Sequence, residues 1–141
     1  MIDRKTKGSN AERELIKKFW DSNSWAALRV AGSGVSRFPC PDIIAGNGSR
    51  FVAIECKSVS GDYIRVERKQ LEDLKIFAGL FGAEVWIGAR FVKDLTNNSH
   101  GEGWFFFSVE DLVESPGGFS ISLVRASYKG LSFDELLALT N

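Results

Sequence analysis

Histidine and cysteine are scarce in this chain of 141 residues, which contains one His and two Cys. Two cysteines do not make the disulfide framework of a small secreted domain, and with a single histidine they do not make a zinc site. No apolar stretch approaches the length of a membrane span, and the first ten residues lack the apolar core of a signal peptide. These absences favour a cytoplasmic protein with no membrane partner.

An excess of one charge is also missing, since 18 Lys and Arg balance 18 Asp and Glu. This balance argues against a simple polyanion-binding tail. The first 40 residues nevertheless carry eight basic and four acidic side chains, so a local basic surface for nucleic acid is possible. Repeats, linkers and low-complexity tracts are absent, and we expect one domain over residues 1–141.

Apolar periodicity predicts an α/β protein with an antiparallel hairpin inside it. The dipeptide Asn47-Gly48 suits the tight turn of that hairpin. The predicted strands cover residues 25–31, 42–45, 51–57, 84–91 and 104–109, and the predicted helices cover ERELIKKFW from Glu12, residues 67–81 and a short segment after Ser132.

Two carboxylates and a lysine mark the predicted hairpin. Glu55 and Lys57 share one face of a strand, about 6–7 Å apart along it. Asp42 begins the partner strand and can lie near Glu55. Carboxylates that converge repel unless a cation lies between them, and a hard divalent cation prefers oxygen ligands. Such a metal polarises a phosphoryl oxygen and activates water, and Lys57 could then orient the water or stabilise developing charge.

Cys56 points to the opposite face of this strand and is expected in the core, although its backbone carbonyl could help to bind the metal. An ordinary exposed Glu–Lys pair is the alternative for Glu55 and Lys57. The upstream Pro41-Asp42 and the turn between the two strands favour the metal site.

Glu12 lies near the centre of the apolar stripe of the first helix. A carboxylate facing the core is costly unless it is paired or bound to metal. A capping box from Ser9 to Glu12 explains the same spacing without any chemistry. Gln70, on the second helix, could also approach the site, or it could be an ordinary surface glutamine.

Four further residues are candidates for DNA contacts. Arg13 and Arg29 could bind phosphate, or be ordinary surface arginines. Ser33 and Arg37 belong to a glycine-containing loop that could approach a DNA backbone closely, or simply be flexible. His100 is expected in a loop without a catalytic part.

The C-terminal half supplies apolar side chains to both faces of two predicted strands. If helices cover only one face, the other is a candidate dimer interface, because monomers seldom leave large apolar patches bare. Helices on both faces are the alternative. The side chains concerned are Val85, Trp86, Ile87, Phe91 and Trp104 to Phe107.

The motif order resembles a known family of nucleases. Pro41-Asp42, twelve intervening residues and Glu55-Cys56-Lys57 resemble the PD-(D/E)xK nuclease signature. The succession AERELIKKF, LRVAGSG, PDIIAGNG, FVAIECK and ERKQL is similar to the archaeal Holliday junction resolvases of the Hjc type, from Gly8 to about Phe107, and the later LSFDELL is also similar.

The resemblance implies a restriction-endonuclease-like fold, with a central mixed sheet flanked by helices, and a homodimer that nicks four-way DNA junctions symmetrically. It implies Mg²⁺ as the cofactor, with Mn²⁺ as a substitute, held at Glu12, Asp42 and Glu55. It assigns catalysis to Lys57 and a part in binding or cleavage to three further positions, Arg13, Arg29 and Ser33. The segments GSGVSRFPC and SVSGDYIRV carry fewer lysines than is usual in that family. Two other functions stay open: a related nuclease for duplex or damaged DNA, and a DNA-binding dimer without catalysis.

Overall fold

A computed structural model describes residues 4–93 and 103–140 of the chain. His100 lies outside the described residues. The secondary structure is as follows: α1 (Arg4–Asp21), β1 (Ala26–Arg29), β2 (Ile43–Gly46), β3 (Phe51–Val59), β4 (Tyr63–Glu67), α2 (Arg68–Phe81), β5 (Glu84–Phe91), β6 (Trp104–Phe107), β7 (Val113–Ser115), β8 (Gly118–Ser122), α3 (Leu123–Lys129) and α4 (Phe133–Ala138), with short 3₁₀ turns at Ser33–Val35 and Val109–Asp111.

The central sheet is mixed, as expected. Within the described part of the chain its strand order is β1-β2-β3-β5-β6, with β3 and β5 parallel and the other neighbours antiparallel. The chain passes between the parallel strands through β4 and α2. A separate three-stranded sheet has the order β4-β8-β7. The sequence pattern predicts neither the strands of this sheet nor α3.

The hairpin between β2 and β3 places the predicted carboxylates together. Asn47 closes the turn, since its side-chain oxygen accepts bonds from the backbone nitrogens of Ser49 and Arg50 at 2.9 and 2.7 Å. Gly48 has a φ of 95°, a conformation that favours glycine. The turn fixes the register at Ile43 opposite Ile54, which sets Asp42 beside the next residue of β3, Glu55.

The sheet has a hydrophobic cluster on each face. Val52 and Ile54 belong to the cluster that also includes α1 and α4, whereas Ala53, between them, belongs to the cluster with α2 and the small sheet. Successive side chains of β3 therefore point alternately into the two hydrophobic clusters.

Two predictions are corrected. The first helix begins at Arg4 and runs through Ser9, so the capping box between Ser9 and Glu12 is wrong. The expected bare face on β5 and β6 is wrong as well, because both faces are covered: Ile87 and Phe107 lie in one cluster and Trp104 and Phe106 in the other, all at most 2% exposed.

Among the described residues, no helix is both long and apolar enough to cross a membrane.

Candidate active site

Asp42 is held rigidly at the start of β2. Its backbone pairs with both neighbouring segments, donating to Ile54 O at 3.1 Å and accepting from Val30 N at 2.8 Å. Its side chain is also engaged: Oδ1 accepts from Ser33 Oγ at 2.5 Å, and Oδ2 accepts from the backbone nitrogen of Cys56 at 2.8 Å. The carboxylate is 8% exposed, so its position is defined by these bonds and not by solvent.

Glu55 and Lys57 lie on one face of β3, as the alternation predicts. Glu55 is 7% exposed, and its Oε2 is 3.7 Å from Lys57 Nζ. Lys57 also donates to Gln70 Oε1 at 2.9 Å. The ammonium group is thus held between a carboxylate of the sheet and an amide of α2.

Burial and a neighbouring carboxylate set the protonation of Glu55. Burial, and next the negative charge of Asp42, raise the pKa of Glu55 to about 8, against the opposing charge of Lys57. At neutral pH and without a cation, this carboxyl is therefore mostly protonated. A bound cation would replace the proton, and the two carboxylates suit a hard ion that prefers oxygen ligands.

Glu12 approaches the site from α1, and its nearest partner is Arg29 of β1. Arg29 Nε donates to Glu12 Oε1 at 2.6 Å. Burial raises the pKa of Glu12 and the negative charge of Asp42 adds to it, while the bond from Arg29 opposes both. The expectation that Glu12 faces inward is confirmed, but its carboxylate is engaged by arginine. Within the described residues, no three His, Cys, Asp or Glu side chains form a ready-made metal site.

The remaining predicted site residues fall at different places. Ser33 reaches Asp42, as described. Arg13 is exposed on α1, and its charge acts to lower the pKa of Glu12. Arg37 is exposed in the loop before β2, with its guanidinium carbon 6.0 Å from the centre of the Phe38 ring. Cys56 is buried among apolar side chains, so its backbone nitrogen serves the site and its thiol does not.

Gln70 is not the ordinary surface glutamine that the sequence also allowed. It occupies the N3 position of α2, where its side chain forms a capping box with Glu67. The predicted helix over residues 67–81 is confirmed to within one residue, whereas the capping box is only weakly signalled, because Glu67 stands where the motif usually has Ser or Thr. With Glu67 it borders a cleft of about 200 Å³, whose other lining residues are Ser33, Ser36, Cys40, Asp42, Glu55, Lys69 and Asp73.

Comparison with known proteins identifies the family of this chain. The family model described as archaeal Holliday junction resolvase (Hjc) matches residues 3–141. A crossover junction endodeoxyribonuclease Hjc from Archaeoglobus fulgidus is 39% identical over 117 residues, covering 83% of this chain and 79% of the relative. A protein of the same name from Sulfolobus acidocaldarius is 32% identical over 138 residues, covering 96% and 90%.

The fold agrees as well. The solved structure of Archaeoglobus fulgidus Hjc, a Holliday junction resolvase, superimposes with a TM-score of 0.78 at 36% identity, covering 91% of this chain and 96% of that one. The mixed sheet flanked by helices is consistent with the restriction-endonuclease-like fold. Family model, relatives and structure together show that the chain belongs to the archaeal Holliday junction resolvase (Hjc) family.

Proposed function

We propose that the protein resolves four-way DNA junctions by paired, symmetric nicks, through metal-dependent hydrolysis of phosphodiester bonds. The observation that carries this proposal is the cleft lined by Asp42 and Glu55, with the ammonium of Lys57 3.7 Å from Glu55, in a chain that belongs to the Hjc family. A surface that only bound DNA would gain nothing from buried carboxylates directed at phosphate, because like charges repel. A nuclease for junctions works where the DNA is, so the cytoplasmic location expected from the sequence belongs to this proposal.

Asp42 and Glu55 would hold Mg²⁺, or Mn²⁺ in its place, with Glu12 and the backbone carbonyl of Cys56 as further oxygen donors. When bound, the ion would polarise a phosphoryl oxygen and acidify a water. Asp42 is fixed by Ser33 and by the Cys56 nitrogen, so it is preorganised. Glu12 can bind the metal only if its carboxylate is released by Arg29, or if it binds the metal and Arg29 together.

Lys57 would stabilise charge on the phosphate as the bond to the leaving oxygen breaks. Its ammonium lies beside Glu55, which lines the cleft, and its side chain is 23% exposed, so a phosphate bound in the cleft would lie near it. Electrostatic groups positioned in advance, in a site that excludes water, stabilise the transition state more than mobile ones do. The proposed role therefore places its effect on the rate of cleavage and not on affinity for DNA.

Arg13, Arg29 and Arg37 would contact phosphates on either side of the cleft. Arg13 and Arg37 are exposed, whereas Arg29 is partly buried against Glu12. Phosphate contacts orient a nucleic acid without reading its sequence. Ser33 would link DNA binding to the site, because it lies in the same loop as Arg37 and bonds to Asp42.

A homodimer would place two sites on the two strands that must be cut, since a four-way junction has two-fold symmetry. An exposed apolar face offers the interface. It consists of Trp20, Leu28, Phe51 and Phe81, each at least 45% exposed, around a groove of about 390 Å³. Apolar patches of this kind mark protein–protein contacts more often than isolated surface residues do.

Sedimentation at micromolar concentration tests the dimer. The unmodified protein should have about twice the chain mass, and a double variant, Leu28→Asp and Phe51→Asp, should be monomeric because two charges would be buried in the contact. Val124→Asp, on the exposed surface of α3, is the matched control and should stay dimeric. A monomeric unmodified protein that still makes paired cuts would overturn the dimer.

Cleavage of a synthetic four-way junction, beside matched duplex, single-stranded and Y-shaped DNA, tests the function. We expect cuts in the junction alone, in the presence of Mg²⁺, and no cuts by Asp42→Ala or Glu55→Ala, which should still bind. Equal cutting of duplex would indicate a different nuclease of this fold, and tight binding without cutting would indicate a DNA-binding dimer. Cleavage that survives in both variants would rule out the site.

A further inference from the structure

The carbonyl of Gln70 joins the start of α2 to the cleft. Its Oε1 accepts from Lys57 Nζ at 2.9 Å and from the backbone nitrogen of Glu67 at 3.0 Å. Glu67 is the N-cap residue of α2, and its side chain accepts in return from the backbone nitrogen of Gln70. One oxygen thus serves both the helix cap and the lysine.

The chemistry of the two partners fixes which end of the amide faces them. A lysine ammonium and a backbone N–H can only donate, so both require an acceptor, and the amide NH₂ group of glutamine cannot serve. The orientation of Gln70 therefore follows from its neighbours. Because the helix cap itself requires this oxygen, the acceptor stays in place when the cleft is empty.

Lys57 has two neighbours that limit its motion, Glu55 Oε2 at 3.7 Å and Gln70 Oε1 at 2.9 Å. The lysine stem is flexible and carries a strongly hydrated point charge, so it is not preorganised by its own structure. The shorter of these contacts is the one with Gln70. When Glu55 binds a cation, its attraction for the ammonium weakens, and the neutral amide remains as the fixed partner.

We propose that Gln70 is a positioning residue, which holds the ammonium of Lys57 at the cleft through the capping oxygen of α2. This inference rests on the function proposed above. It predicts that loss of the Gln70 oxygen slows cleavage and leaves affinity for junction DNA unchanged.

The capping box provides a matched control. Gln70→Ala and Glu67→Ala each remove one of its two reciprocal bonds, and only the first also removes the contact with Lys57. Gln70→Glu keeps an acceptor at the same position, and glutamate is a regular N3 residue of capping boxes. Thermal unfolding of all three variants shows whether the cost to the helix is equal.

The test is the single-turnover rate of cleavage of a four-way junction with saturating enzyme and Mg²⁺, beside the dissociation constant in a chelator. For Gln70→Ala we expect a rate lower by about 10- to 100-fold, the usual worth of a hydrogen bond to a charged group, with an unchanged dissociation constant. Glu67→Ala should keep its rate within about threefold, and Gln70→Glu should recover most of what Gln70→Ala loses.

Three results would overturn the inference: equal loss in Gln70→Ala and Glu67→Ala, a loss confined to affinity, or a Gln70→Glu variant no faster than Gln70→Ala. Failure of the proposed function looks different. In that case the unmodified protein does not cut junctions, or Lys57→Ala cuts them as fast as the unmodified protein does, and the inference falls with it.

Discussion

Glu55→Gln should make the metal-free protein more stable while it abolishes cleavage. The carboxyl of Glu55 is buried, and its pKa rises from 4.5 to about 8, first because of burial and then because of the charge of Asp42. The unfolded chain releases this proton near the ordinary value. Between these two pH values the folded state binds more protons than the unfolded state, so the free energy of unfolding falls as pH rises.

The size of this destabilisation follows from the difference between the pKa of Glu55 in the folded and in the unfolded chain. One pH unit inside this window costs about 1.4 kcal/mol, so the carboxyl destabilises the fold by about 3 kcal/mol at pH 7 and by under about 1 kcal/mol at pH 5. A glutamine amide takes up no proton. Its NH₂ group can also donate to Asp42, as the protonated carboxyl does. The substitution should therefore recover most of this free energy.

Urea unfolding in a chelator, between pH 5 and pH 8, measures the difference. The advantage of Glu55→Gln should grow with pH, and Glu72→Gln, at an exposed position of α2, should show none. Excess Mg²⁺ should stabilise the unmodified protein and narrow the gap, since only an intact site binds it tightly. A variant that is no more stable than the unmodified protein at pH 8, or a difference that does not vary with pH, would refute the reasoning.

Three further substitutions test the site and the fold that supports it. Arg29→Ala should weaken junction binding and lower the salt dependence of the binding constant by about one phosphate contact. It should also destabilise the fold, because Glu12 loses its partner. Lys57→Ala should lower only the rate of cleavage, and the reverse pattern would mean that the two roles are exchanged. Arg50→Ala should lower the free energy of unfolding, measured in urea, by about 3–5 kcal/mol, because it removes a buried guanidinium that pairs with Glu84 at 2.8 Å and leaves the carbonyl of Leu136 without its donor. A loss under about 1 kcal/mol would contradict this.

The placement of Asp42, Glu55 and Lys57 can be predicted from the sequence because short-range rules govern it. Alternation along β3 sets Glu55 and Lys57 on one face, and the Asn47-Gly48 turn fixes the register that brings in Asp42. Neither inference requires knowledge of distant contacts.

Local patterns do not predict features that depend on distant contacts. Ser9 looks like a helix cap, yet the helix continues through it, because the cap pattern gives only a local preference. β4 alternates clearly between exposed and buried residues, but its partner β8 lies far along the chain. The apolar strands β5 and β6 were expected to leave one face bare, and only the fold reveals that α1, α2 and both C-terminal helices cover them.

Gln70 illustrates a third case. Its position near the apolar face of α2 could be inferred from helical spacing, but the contact with Lys57 depends on the angle at which the helix leaves β4. That angle follows from the packing of Leu71 and Leu74 into the core. No local sequence pattern predicts this angle.

Arg50 has a consequence for the order of events in folding. Its guanidinium joins the β2–β3 turn to the carbonyl of Leu136, at 2.7 Å and 86 positions further along the chain. Closing so long a loop costs chain entropy before the contact can form and stabilise the fold. Proteins rich in such contacts fold slowly. We therefore expect the hairpin that carries Asp42 and Glu55 to form from local pairing before it attaches to α4. Nuclease activity should therefore appear in refolding experiments only with the last kinetic phase.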